Sequence, residues 1–181
     1  CEGRCAGGAC VDNEVPLVSC AISPVPIYTS DDLTATATAT DLDGDTLTVT
    51  YEWYKNQTLD RAETTSVLAS SKSIKGEEWM VTVTANDGQV DGPKCSTWTT
   101  VLNSKPVIAM TTVSPSSGGE DATFTCTPLN VSDADADSVT FAYAWTVNNT
   151  ASVTAPTIDG ASFERGDVIV CTVTPNDGEE D

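Results

Sequence analysis

Two matched groups of carboxylates stand out in this chain. Asp41, Asp43 and Asp45 fall in the run ATDLDGDTL, and Asp133, Asp135 and Asp137 in VSDADADSV, each spaced at every second residue. Carboxylates gathered this closely call for a counter-charge, and a divalent or monovalent cation is the natural one. A second reading needs no ion, because Asp and Gly are also the residues that tight turns use. Both readings stand at this point. Other chemistry is restricted: the chain has no histidine, which removes His-based triads and His-ligated metal sites. Paired carboxylates can hydrolyse glycosides, but the acidic residues here cluster in turns with no cleft-forming insertion, and no enzymatic activity is expected.

The first group superficially resembles an EF-hand loop, with Asp41, Asp43 and Asp45 at its first, third and fifth positions and Glu52 at the twelfth. Glycine stands at the fourth position instead of the sixth, the segment alternates as a strand, and Ala144 replaces Glu52 in the second copy. An EF-hand is therefore rejected. The stretch after each acidic turn is more informative. Leu47, Val49, Tyr51 and Trp53 match Val139, Phe141, Tyr143 and Trp145 position for position, with small or polar residues between. A period of two places each set on one face of a β-strand. The chain is thus a tandem repeat of about ninety residues, each copy built around a strand that carries a core Trp.

Composition supports this. Thr, Val and Ala are abundant and no segment shows helical spacing with capping signals, so an all-β protein is expected. The formal charge is -19, from 27 acidic and 8 basic residues, which excludes nucleic acid and an anionic membrane surface as natural partners. Seven cysteines without Cys-Xaa-Xaa-Cys pairs point to disulfides and an oxidising compartment, secreted or at the cell surface. Asn56, Asn130 and Asn148 lie in Asn-Xaa-Ser/Thr triplets compatible with glycosylation. No apolar run is long enough to span a bilayer.

Taken in order, residues 1–14 are Cys-rich. Arg4, Cys5, Val11, Asn13 and Pro16 align with Lys94, Cys95, Val101, Asn103 and Pro106, so this segment reads as the last strand of a preceding or neighbouring repeat. The first repeat, 15–103, shows strands at 15–24, 33–40, around Trp53, near 64–70, from Trp79 to the Asn86-Asp87-Gly88 turn, and at 94–102. The second repeat, 104–181, retraces these steps and stops at NDGEED, so its last strand is expected to be missing, leaving an open edge. That strand would come from further chain or from residues 1–13 of the next molecule, giving a head-to-tail polymer.

Cys126, Trp145 and Cys171, in that order on inward faces, resemble the Cys, Trp, Cys core of the immunoglobulin fold. The runs Ala39 to Leu47, Val83 to Gly88 and Val173 to Gly178 resemble the tandem immunoglobulin-like, PKD-like and cadherin-like repeats of bacterial and archaeal surface proteins. The resemblance implies two tandem β-sandwich domains, a Cys126 to Cys171 bridge between sheets and a Cys20 to Cys95 bridge between neighbouring strands. Cys1, Cys5 and Cys10 are left over, with a partner outside this chain, a bond between subunits, or a lipid on Cys1 as the alternatives. In such a fold the loop before the Trp strand and the Asp-Gly turn meet at one tip, which implies a cadherin-like Ca2+ site of Asp41, Asp43, Asp45 and Asp87 with Asp12 or Glu14. Asp133, Asp135, Asp137 and Asp177 would form a second.

The function expected is a structural subunit or stalk segment of an extracellular filament or adhesin, its partners being copies of itself or further repeats. The alternative is a carbohydrate- or protein-binding module of a larger secreted protein, for which Trp98 and Tyr28 are the main candidates for exposed aromatic contacts.

Overall fold

The structure, a computed structural model, describes residues 4–6 and 9–179, with side chains from Asp12 onward. Among these residues it is all-β, with antiparallel sheets and a single 3-10 turn at Ser70–Lys72. The strands are β1 (Arg4–Ala6), β2 (Ala9–Val11), β3 (Leu17–Ser23), β4 (Leu33–Thr40), β5 (Thr48–Lys55), β6 (Thr58–Asp60), β7 (Val67–Leu68), β8 (Glu78–Asn86) and β9 (Cys95–Thr100) in the first half. The second half contributes β10 (Val107–Ser114), β11 (Phe124–Ser132), β12 (Thr140–Val147), β13 (Thr150–Ala151), β14 (Thr157–Ile158) and β15 (Ile169–Asn176). The chain divides into two compact units, Cys1–Leu102 and Asn103–Asp181.

In the first unit a sheet of order β3-β4-β7 packs on one of order β6-β5-β8-β9. The alternation read from the sequence decides which faces meet: Leu33 and Ala35 point inward on β4 while Thr36, Thr38 and Thr40 are exposed. Trp53 is fully buried, and its indole N–H donates to the Thr65 carbonyl at 2.9 Å. Trp79 meets it edge-on at 6.4 Å between centroids. Removing one such ring from water is worth of order 4–6 kcal/mol by area, so these two indoles dominate the core. A bridge between Cys20 and Cys95, 5.9 Å apart at Cα, ties β3 to β9 and so joins the two sheets.

The second unit repeats this plan with sheets of order β10-β11-β14 and β13-β12-β15. Trp145 takes the place of Trp53 and donates its N–H to the Ala155 carbonyl at 2.9 Å. The bridge between Cys126 and Cys171, 6.3 Å apart at Cα, joins β11 to β15 next to that ring. Ile169 stands where Trp79 does, and a Phe124–Phe163 edge contact at 5.4 Å fills part of the lost volume.

Two features differ from the sequence expectations. Residues 56 and 57, of which the sequence singled out only the sequon at Asn56, form a tight turn between β5 and β6, as residues 148 and 149 do between β12 and β13. All four residues have φ between 46° and 66°, the left-handed conformation that a two-residue hairpin of this kind requires and that Asn tolerates best. The amino-terminal segment, read as one strand, is instead the hairpin β1-β2, with Arg4 opposite Val11 and Cys5 opposite Cys10. Cys1 and the terminal residues 180–181 lie outside the described residues.

Candidate metal centre

The acidic turns are built by their first aspartate. Asp41 Oδ1 accepts the backbone N–H of Asp43 at 2.9 Å and of Asp45 at 3.2 Å. Asp133 Oδ1 accepts those of Asp135 and Asp137 at 2.9 and 3.0 Å. The turn thus curls around one carboxylate oxygen. In each group one oxygen from every carboxylate lies within 4.8 Å of the others. Two oxygens that share a Ca2+ at about 2.4 Å can be no farther apart than about 4.8 Å, so each group has the dimensions of a cation site.

The other oxygen of the leading aspartate bears on whether an ion fits. Asp41 Oδ2 and Asp133 Oδ2 are buried and have no hydrogen-bond partner among the described residues. A turn needs only Oδ1. Leaving a buried carboxylate oxygen unpaired is unfavourable, and its occurrence at the same atom in both repeats is what a cation ligand would produce. The donor set is all oxygen, as Ca2+ prefers.

Asp87 and Asp177, expected as further ligands, belong to neither group. They hold the incoming chain. Asp87 Oδ2 accepts the side-chain N–H of Asn13 at 2.9 Å, while its Oδ1 accepts the backbone N–H of Gln89 and of Val90, both at 2.7 Å. The Asn13 bond first, and the two backbone bonds after it, keep this carboxyl below the usual aspartate range. Asp177 Oδ2 accepts from Asn103 at 2.7 Å and its Oδ1 from the Glu179 N–H at 2.7 Å. The residue after each Asn then reaches the triad itself: Glu14 N–H donates to Asp43 Oδ2 and Ser104 N–H to Asp135 Oδ2, both at 2.7 Å. Glu14 thus meets the first group through its backbone, and no bond of Asp12 to it is found among the described residues. Asn13 and Asn103 were absent from the ligand set read from the sequence, although their alignment was visible there.

The remaining candidates can be placed. The sequon residues Asn56, Asn130 and Asn148 are exposed. Asn56 and Asn148 also work in their turns, where their Oδ1 atoms accept the N–H of Glu78 and of Val168 at 3.0 Å. Trp98 is 65% exposed on β9, whereas Tyr28 is half-buried and bridges to Leu102. Of the two aromatics expected to form a surface platform, one ring is left. No helix of the described residues is long and apolar enough to cross a membrane, and the two bridges fit an oxidising environment. The chain matches no protein-family model and no curated protein.

Proposed function

We propose that this chain is a stretch of tandem immunoglobulin-like repeats from a secreted or surface-anchored protein, working as a structural stalk or filament segment whose sandwiches bind Ca2+ at the point where the chain enters each one. The observation that carries the reading is the recurrence of one joint: Asn13, Glu14, Asp41, Asp43, Asp45 and Asp87 make the same bonds as Asn103, Ser104, Asp133, Asp135, Asp137 and Asp177. Turns that only needed capping would not repeat a linker contact as well. Ca2+ bound to each triad would offset two of its three carboxylate charges and lock the turn that receives the linker backbone. The chain's partners in this reading are further copies of the same sandwich, and the disulfides stiffen each bead.

Immunogold electron microscopy of the cells that make this chain tests the proposal. Label spaced regularly along surface appendages is the expected result. Label found only on soluble complexes that co-purify with a catalytic chain would favour the accessory-module reading, which Trp98 alone supports.

A further inference from the structure

We infer that the outer face of the β6-β5-β8-β9 sheet carries a binding strip for an extended, uncharged, β-linked polysaccharide, with Trp98 and Tyr54 as its two stacking rings. A glycan-binding face suits a stalk segment and an accessory module alike, so it does not depend on the filament reading. Strand alternation decides which residues share this face. Cys95 reaches across the sandwich to Cys20, so Ser96, Trp98 and Thr100 of β9 point the other way, outward. Trp53 and Trp79 are buried in the core, so their neighbours Tyr54 on β5 and Met80 on β8 also face outward. The ladder then sets the register: Leu59 is paired with Tyr54, Tyr54 with Met80, and Met80 with Trp98. These side chains form one row across the four strands.

Trp98 is 65% exposed, whereas Trp53, Trp79 and Trp145 are at most 1% exposed. The fold does not require the row. In the second unit Thr146 and Val170 stand where Tyr54 and Met80 do, although Tyr143 and Trp145 repeat Tyr51 and Trp53. An exposed indole continued by three further apolar side chains, with no packing role to account for it, marks a contact surface.

The borders of the row identify what it contacts. On one side Glu52 holds Lys94 at 2.9 Å and Thr82 Oγ1 lies 2.9 Å from Ser96 Oγ; on the other stand Glu78 and its partner Thr100. An apolar strip between hydrogen-bonding margins matches a pyranose chain, whose ring faces present C–H groups to aromatic side chains and whose edges carry hydroxyls. β8 separates β5 from β9, so Tyr54 and Trp98 start about 10 Å apart. That is the span of a disaccharide in an extended β-linked chain, and every second sugar then meets a ring in the same orientation. A strip one side chain wide falls short of the roughly 800 Å² that a stable protein partner covers. The carboxylates beside it, on a chain of net charge -19, repel an anionic glycan.

Titration calorimetry of the full chain with cellohexaose and chitohexaose is the test, with alginate as the acidic control and acrylamide quenching of tryptophan emission as a second readout. Acrylamide reaches Trp98 and not the buried indoles. At least one of the two neutral sugars should bind, and should reduce quenching to the level of a Trp98→Ala variant. Trp98→Ala and Tyr54→Ala should each weaken binding about tenfold or more, and Tyr54→Phe should leave it within about twofold, with both disulfides verified by mass in every variant. Binding of neither sugar, or binding that survives Trp98→Ala, overturns the inference. So does equal binding of alginate. Self-association in sedimentation without sugar, abolished by Trp98→Ala, would also overturn it and assign the face to a second copy.

Discussion

At the scale of single residues, the atoms that discriminate between a turn and a metal site are Asp41 Oδ2 and Asp133 Oδ2. A turn-only role requires Oδ1 and leaves Oδ2 buried at a cost; a cation turns that cost into binding. Asp133→Asn keeps the oxygen that caps the turn and removes one charge from the group. With chelator present the variant should be as stable as the wild type or slightly more so, because like charges within 4.8 Å repel. With Ca2+ at a hundredfold excess over its Kd the wild type should gain about 2.7 kcal/mol per occupied unit, and the variant should lose most of that gain for the second unit. Calorimetry with and without Ca2+, using Mg2+ as the control, measures the crossing. Equal melting of both proteins under all three conditions would reduce the triads to turn formers.

At the scale of elements, the two-residue turns show how a local sequence feature is tied to the rest of its sheet. Asn148 has φ 50°, its Oδ1 accepts the Val168 N–H, and its side-chain N–H donates to Asp167 Oδ1 at 2.7 Å. Asp167 Oδ2 accepts the Glu164 N–H at 2.8 Å, and this bond first, then that from Asn148, lowers the Asp167 carboxyl below its usual range. A carboxyl with a folded pKa below its unfolded value of about 3.9 stabilises above that value and ceases to do so as pH falls through the folded pKa. The urea midpoint of the second unit should therefore fall on acidification below about pH 4, and Asp167→Ala should flatten that limb while lowering the midpoint at neutral pH. An unchanged acid limb would show that the carboxylate contributes nothing there. Much of this architecture was legible in the sequence, because Trp53 and Trp145 lie in unbroken alternation and a one-residue slip would expose both. Both cysteine pairings follow the resemblance to the immunoglobulin core, which implied them. The turn at Asn56-Gln57 was not legible, since it lacks the glycine that marks most such hairpins, and Asn56 and Asn148 read as sequons before they read as left-handed residues. The β1-β2 hairpin was hidden for the opposite reason: the alignment of Arg4, Cys5 and Val11 with a single strand outweighed the Gly7-Gly8 pair that favours a hairpin. The contacts of Asn13 and Asn103 with Asp87 and Asp177 join positions more than seventy residues apart, and nothing local announces them.

At the scale of the whole chain, two units with one plan carry unequal cores. The first buries Trp53, Trp79, Leu33, Leu68, Val81, Val83 and Val101, whereas the second, among the described residues, buries Phe124, Cys126, Trp145 and Ile158. Less apolar area removed from water means less stability, so the second unit depends more heavily on its bridge. Cys126 and Cys171 are 45 residues apart, and the loop-entropy estimate for such a bridge is about 4 kcal/mol, a large share of the 5–15 kcal/mol expected of a whole domain. The bridge of the first unit spans 75 residues and carries a similar entropic term of about 4.5 kcal/mol, but there it supports a core that already holds two Trp rings among aliphatic side chains. Calorimetry of the oxidised chain should thus show two transitions, the lower belonging to the second unit. Replacing Cys126 and Cys171 together by Ala should move the lower transition down by more than about 10 °C, taking about 4–8 °C per kcal/mol for a unit of this size, and leave the upper one in place. Trp fluorescence assigns them: the lower transition should follow Trp145 and be lost from the signal of a Trp145→Phe variant, while the upper follows Trp53 and Trp79. If both transitions moved together, the units would unfold as one body and the picture of separately stabilised beads would have to be abandoned.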